Sequence, residues 1–308
     1  MHHPNITLSP EVARAIKLSQ SIVALESTVI THGLPHPQNL ELAHNMEQEI
    51  RHNGATPATI AVLDGKIRIG LSDEELTRLA QAESTLKVSR RDFATAIIKK
   101  ATGGTTVAGT MFAAEQAGIK VFATGGIGGI HREGRYDISA DLQALADTPM
   151  IVVCAGAKAI LDLPATLEYL ETMSVPVVGY QTDEFPAFYS RESGLKVGVQ
   201  LDSAEEIAAF ARAHWSAGGR GAVLVTNPVP IPDAIPKSEM EPVIAKASAE
   251  AIAKNIHGQA VTPFLLKRIS ELTHGKSLRT NISLLLNNAR LAAQIARALT
   301  TRNRIRAV

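Results

Sequence analysis

Met150-Ile-Val-Val-Cys-Ala-Gly-Ala-Lys158 is an apolar run that ends on an amine with no carboxylate beside it. A short continuous apolar run closed by glycine fits a strand buried on both faces, as in parallel sheets. Lys158 then stands at the mouth of that strand. An amine near apolar surroundings loses hydration, which disfavours its charged form, and such a lysine can attack a carbonyl carbon. The competing reading is a helix-start lysine whose stem lies on apolar surface while its head reaches water.

The same pattern repeats outward in both directions. Strands are expected at Ile22-Val-Ala-Leu25, at Leu86-Lys-Val88, at Lys120-Val-Phe-Ala-Thr124, and over residues 175–180 and 222–226. Residues 59–63 and 66–71 flank Asp64-Gly65, a strong hairpin signal. Helices are expected over residues 10–18, opened by Ser9-Pro10, and over 38–52, closed by Gly54. Another follows the capping box of Ser72 and Glu75. One more covers residues 91–101, and the next begins near Thr105 after Gly103-Gly104. A helix over residues 204–215 and three after the proline-rich stretch from Asn227 to Pro236 complete the pattern. This alternation implies an α/β protein with a largely parallel or mixed sheet covered on both faces, built as a single domain over residues 1–308.

Lysine and arginine number 31 against 30 acids, so no bulk field draws the chain to nucleic acid or anionic lipid. An anionic ligand must be met by a local site. The single cysteine, Cys154, excludes an internal disulfide and lies in the apolar run, where it reads as packing. No signal peptide opens the sequence and no apolar run reaches the roughly 18 residues of a membrane span. A cytoplasmic location is the expectation.

Generic motifs carry little. Gly125-Gly-Ile-Gly-Gly129 follows a strand, but His131 stands where a dinucleotide fingerprint needs glycine or alanine. Gly275-Lys-Ser277 resembles the end of a phosphate loop, yet Ser270 replaces its first glycine. His32 and His36 are four apart, but Gly-Leu-Pro between them prevents the helical face of a zinc pair, so they read as loop histidines. The amides of residues 103–107 open a helix and could hold phosphate, or form an ordinary turn. Asp137-Ile-Ser-Ala-Asp141 reads either as helix capping or as an oxygen site for Mg²⁺ or Mn²⁺ completed by water. Glu26 is a solvated loop carboxylate or a general acid/base.

Read together, Ala24-Leu-Glu-Ser-Thr28, Lys87-Val-Ser-Arg-Arg-Asp92, the block from Phe122 to Arg132, Asp137 to Asp141 and Val153 to Lys158 closely resemble the pseudouridine-5′-phosphate glycosidase family, also called indigoidine synthase A-like. Thr262-Pro-Phe-Leu-Leu266, Asn281 and Asn287-Asn288 extend the match over nearly the whole chain. The resemblance implies reversible cleavage of pseudouridine 5′-phosphate to uracil and ribose 5-phosphate, a three-layer α/β/α fold, a divalent metal, usually manganese, and a homotrimer. It implies Lys158 as covalent nucleophile and Glu26 as proton donor. Asp137 would hold the metal, and Asp141 could share or replace it, because residues 131–136 form a shorter segment than in some members. Lys87, Val107, Ser139, Ala140, Asp141 and Asn281 would contact substrate.

The chemistry explains why a lysine is wanted. The bond to be broken joins ribose C1′ to a uracil carbon, and two carboxylates that suffice for an O-glycoside rely on protonating a leaving oxygen. An imine of the ring-opened sugar supplies another electron sink. A class I aldolase-like lyase would also use an amine but cleave within the sugar. A non-enzymatic sugar-phosphate-binding protein would use the lysines only as charges.

Overall fold

The computed structural model describes residues 4–132, 137–256 and 258–305. Residues 133–136, part of the segment expected to be shorter than in some members, and the last three residues lie outside them. The amino-terminal part runs β1 (Ile6–Leu8), α1 (Pro10–Lys17), β2 (Ile22–Leu25), a π-helical turn (Val29–Gly33), α2 (Gln38–His52), β3 (Thr56–Leu63), β4 (Lys66–Ile69) and α3 (Asp73–Ala80). The middle runs β5 (Leu86–Val88), α4 (Phe93–Ile98), β6 (Gly103–Thr105), α5 (Val107–Gln116), β7 (Val121–Ala123), β8 (Ile130–His131), α6 (Ala140–Asp147) and β9 (Ile151–Cys154). Then come β10 (Leu161–Asp162), α7 (Leu163–Thr172), β11 (Val177–Tyr180), β12 (Val199–Leu201), α8 (Ala204–Ser216), β13 (Val223–Thr226), α9 (Lys237–Ala253), α10 (Val261–Leu272) and α11 (Lys276–Ile305).

The main sheet has the order β1-β4-β3-β2-β7-β9-β13-β11-β12, with β6 paired to β3 and β5 to β6. From β3 to β12 every neighbouring pair is parallel, and β4 and β6 run antiparallel to β3. The sheet is therefore mixed, with a parallel centre. Helices α2, α11 and α8 pack side by side on one face, and α5, α6 and α7 cover the other. This is the three-layer α/β/α arrangement. All of β9 is buried, as its unbroken apolar sequence requires. Among the described residues no helix is long and apolar enough to cross a membrane.

Local chemistry sets the element ends. Ser9 Oγ accepts from Val12 N and Pro10 occupies the first turn, so α1 begins where expected. Ser72 and Glu75 form their capping box, and Ser203 with Glu206 forms a second that opens α8. The hairpin turns on Asp64 (φ 50) and Gly65 (φ 77), the paired left-handed conformations of a type I′ turn.

One element differs from expectation. Gly103-Gly104 is not a helix start but strand β6, and the helix waits until Val107. A Cβ on Gly104 would stand 2.6 Å from Ser27 O, and one on Gly103 would stand 2.4 Å from Leu86 O. Both glycines are there so that neighbouring backbone can close on them. Very short β1, β8, β10 and β12 were also unpredicted, because two or three residues carry too little periodicity to read.

Candidate active site

Parallel sheets of this kind place ligands outside the carboxyl ends of their strands. A cavity of about 70 Å³ lies there, open to solvent at its mouth. Glu26, Thr28, Val29 and His32 come from the end of β2 and the π-helical turn; Lys87 comes from β5; Gly125 and Gly126 follow β7; Lys158 follows β9. Phe188, Thr262, Pro263 and Leu266 from α10, and Asn281 and Leu285 from α11, form the rest of the wall. Glu26, Lys87, Lys158 and Asn281, distant in sequence, thus meet in one place.

Lys158 does not begin a helix, since α7 starts at Leu163 with Asp162 as its cap. It sits in a loop tied to the glycine-rich segment: Lys158 N donates to Ile127 O at 3.1 Å and Ile127 N to Gly156 O at 3.1 Å. Gly156 is required twice over, by its φ of +85° and because a Cβ would approach Pro186 O to 2.3 Å. That explains the Ala-Gly-Ala spacing before the lysine. Among the described residues the amines of Lys158 and Lys87 have neither a hydrogen bond nor an ion pair. Burial, then the charge of Lys158, pulls the Lys87 ammonium below its ordinary range, while Asp141 and Glu26 oppose that shift. Two amines without a hydrogen bond or ion pair face the cavity beside one carboxylate, so Lys87 is free to meet an anionic group of a ligand.

Glu26 is 9% exposed. Its two oxygens accept from two hydroxyls, Oε2 from Thr28 and Oε1 from Thr124. It is a held carboxylate rather than a solvated one. The catalytic nucleophile and proton donor expected from the sequence therefore face one cavity.

The other expected contacts lie differently. Val107 is buried at the first turn of α5, where Thr106 Oγ1 accepts from Gly109 N and Asp141 Oδ1 accepts from Ala108 N at 3.0 Å. Asp141 Oδ2 accepts from Gly128 N at 2.8 Å, and Ser139 Oγ caps α6 through Asp141 N. Asp141 therefore bridges α5 to the glycine-rich loop with both oxygens engaged. Val107, Ser139, Ala140 and Asp141 line no part of the cavity. Asp141→Ala would leave two buried amides unpaired, and we expect it to cost on the order of 2–4 kcal/mol, read as a lower urea midpoint.

Asp137 is exposed and borders a separate groove with His131, Arg132 and Ile160. Among the described residues no group of three His, Cys, Asp or Glu could hold a metal ion. With Asp141 spent on amides, the donor set fits a hydrated divalent ion on one carboxylate, not a protein cage.

The sequence passed over three wall residues, His32, Phe188 and Thr28, and one buried behind them, Thr124. His32 lies on a π-helical turn rather than in a loop, a conformation frequent at functional sites. Thr31 Oγ1 lies 2.7 Å from its Nδ1, and burial followed by the charge of Lys87 holds the imidazole pKa down. His36 is exposed and apart from it. Phe188 takes φ 62° and its ring fills the space that a Cβ on Gly126 would occupy, 2.7 Å away. Thr28 and Thr124 went unremarked because a hydroxyl has no spacing signature. Cys154 is inert packing, its thiol pushed up to about 12 by burial.

The family model for indigoidine synthase A-like proteins matches residues 11–298. The chain belongs to that family. The indigoidine synthase A-like relatives include the pseudouridine-5′-phosphate glycosidase of Solibacter usitatus, 56% identical over 95% of this chain and 98% of that protein. A protein of the same name from Caldanaerobacter subterraneus is 53% identical over 94% of this chain and 95% of its own length. Among solved structures, the prealnumycin C-glycosynthase AlnA in complex with ribulose 5-phosphate superposes with a TM-score of 0.91 at 40% identity, covering 99% of this chain and all of AlnA. An indigoidine synthase A-like protein of Thermotoga maritima gives 0.89 at 36% identity over 97% of this chain and 98% of that one.

Proposed function

We propose that this indigoidine synthase A-like chain is a pseudouridine-5′-phosphate glycosidase, reversibly cleaving the C–C glycosidic bond to give uracil and ribose 5-phosphate. The observation that carries the reading is one cavity holding a fixed carboxylate, Glu26, and two unpaired amines, Lys158 and Lys87. The near-identical length and 56% identity to a protein of that name supports the substrate. A C-glycosynthase of the same fold supports chemistry at a bond between carbon atoms.

In this reading Glu26 enters protonated and gives its proton to ribose O4′, which leaves C1′ so that the sugar ring opens. The neutral amine of Lys158 adds to C1′, handing its surplus proton to Glu26. That proton goes to the uracil carbon, the C1′–carbon bond breaks, and the nitrogen lone pair forms C1′=N. Water then hydrolyses the imine and frees ribose 5-phosphate. The apolar wall of Phe188, Pro263, Leu266 and Leu285 would take the flat faces of uracil, with the Asn281 amide on its polar edge. Lys87 would hold phosphate, remote from the reacting bond, with Val107 and the 139–141 segment beyond the cavity wall on that side. Asp137, on the neighbouring groove, would hold a divalent ion, manganese or magnesium, which when bound would supply positive charge there. The same reading carries a homotrimer working in the cytoplasm, measurable by sedimentation and cell fractionation.

Incubation with pseudouridine 5′-phosphate and Mn²⁺, followed by chromatography, should release uracil; the nucleoside without phosphate should be a poor substrate. Absence of uracil would sink the reading, and a split within the sugar chain would favour an aldolase-like lyase. Removing divalent ions with a chelator should slow the wild type and added Mn²⁺ should restore it, whereas Asp137→Ala should respond to neither.

Lys87→Ala should weaken ribose 5-phosphate binding by about 10- to 100-fold. The pH dependence follows from its lowered pKa. The amine is charged below that pKa and loses its charge as pH rises through it. Affinity for the phosphate should therefore fall at a lower pH than an ordinary lysine would allow, and Lys87→Arg should move that loss upward. Titration calorimetry across pH would read both effects.

A further inference from the structure

Glu26 and Thr124 come from neighbouring strands. β2 and β7 are paired with Ala24 opposite Phe122 and Leu25 opposite Ala123, so one further step along the ladder brings Glu26 beside Thr124. Thr124 is fully buried. Its N donates to Val153 O at 3.0 Å, and its carbonyl accepts from Asn288 Nδ2 at 2.8 Å. Strand β9 and helix α11 thereby pin its backbone on both sides. A β-branched side chain on a pinned backbone has little freedom at χ1, so its hydroxyl is held where it donates to Glu26 Oε1. Thr28 donates to the other oxygen but is only half-buried and lies on the cavity wall.

Resting on the function proposed above, we infer that Thr124 is a positioning residue that aims the Glu26 carboxylate at the reacting carbon. A carboxylate clamped through both oxygens cannot rotate about its last torsion, and its remaining lone pairs point in fixed directions. Proton transfer is sensitive to such aim, since a misplacement of about 1 Å costs on the order of 100-fold. Asn288 extends the device, because it bonds the Thr124 carbonyl and accepts from Asn227 Nδ2 at 3.1 Å, joining the ends of β7 and β13 to α11.

The test is a mutant cycle. Thr124→Val keeps shape and removes only the hydroxyl; kcat for uracil release should fall about 10- to 100-fold while KM changes little. Thr124→Ser should recover most of that loss. In the Glu26→Gln background, Thr124→Val should add almost nothing, because both act through one group. A wild-type kcat in Thr124→Val, or an equal loss in both backgrounds, would overturn the inference. If Thr124→Val does not fold by circular dichroism, Thr124→Ala is compared with Thr124→Ser on the same readout. Failure of the wild type to release uracil removes the proposed function itself, whereas an inactive Glu26→Gln beside a fully active Thr124→Val removes only the positioning role.

Discussion

Lys158→Ala should abolish uracil release, lowering kcat by on the order of 10⁴-fold or more, as loss of a covalent nucleophile does elsewhere. The fold should survive, because the lysine is only half-buried and its amine holds no partner among the described residues. Lys158→Arg separates charge from nucleophilicity. A guanidinium keeps the positive charge but cannot give up a proton under enzymic conditions. If Lys158 serves only as a cation for phosphate, arginine should keep substantial activity; on the imine route it should be as dead as alanine. Circular dichroism and ribose 5-phosphate binding would confirm that both variants are folded and still bind.

Glu26→Gln should cost about 10²- to 10⁴-fold in kcat, the range for losing a positioned acid/base group. The substitution keeps size but changes hydrogen-bonding capacity. A carboxylate accepts from both Thr28 and Thr124, whereas an amide offers one acceptor oxygen, so one hydroxyl must turn away. The expected signature is a fall in kcat with modest change in KM, read from initial rates of uracil release. A variant within a few-fold of wild type would remove Glu26 from the chemistry and leave it a purely structural carboxylate.

Much of this site was visible in the sequence, and the reasons for what was not are physical. The apolar run before Lys158 became β9 at the centre of the parallel sheet, because continuous burial needs continuous apolarity. The glycine-rich segment is there for close approach, as at Gly126 against Phe188 and Gly128 against Ser139 and Asp141. Gly103-Gly104 misled for the same reason: glycine marks close backbone approach as often as it marks a helix boundary. Asp141 was a candidate ligand from its spacing to Asp137 and from the resemblance, and only the fold reveals that its oxygens bind two amides. His32 was set aside with His36 as a failed zinc pair. No periodicity announces a single π-helical turn, so its place on the cavity wall could not be read in advance.

The most direct test of the central claim is borohydride trapping. The purified chain is mixed with ribose 5-phosphate and Mn²⁺, reduced, and mapped by intact mass and peptide sequencing. The account predicts one reduced pentose-phosphate adduct, on Lys158 and absent from Lys158→Arg. Full turnover with no adduct, or an adduct on Lys87 instead, would contradict it.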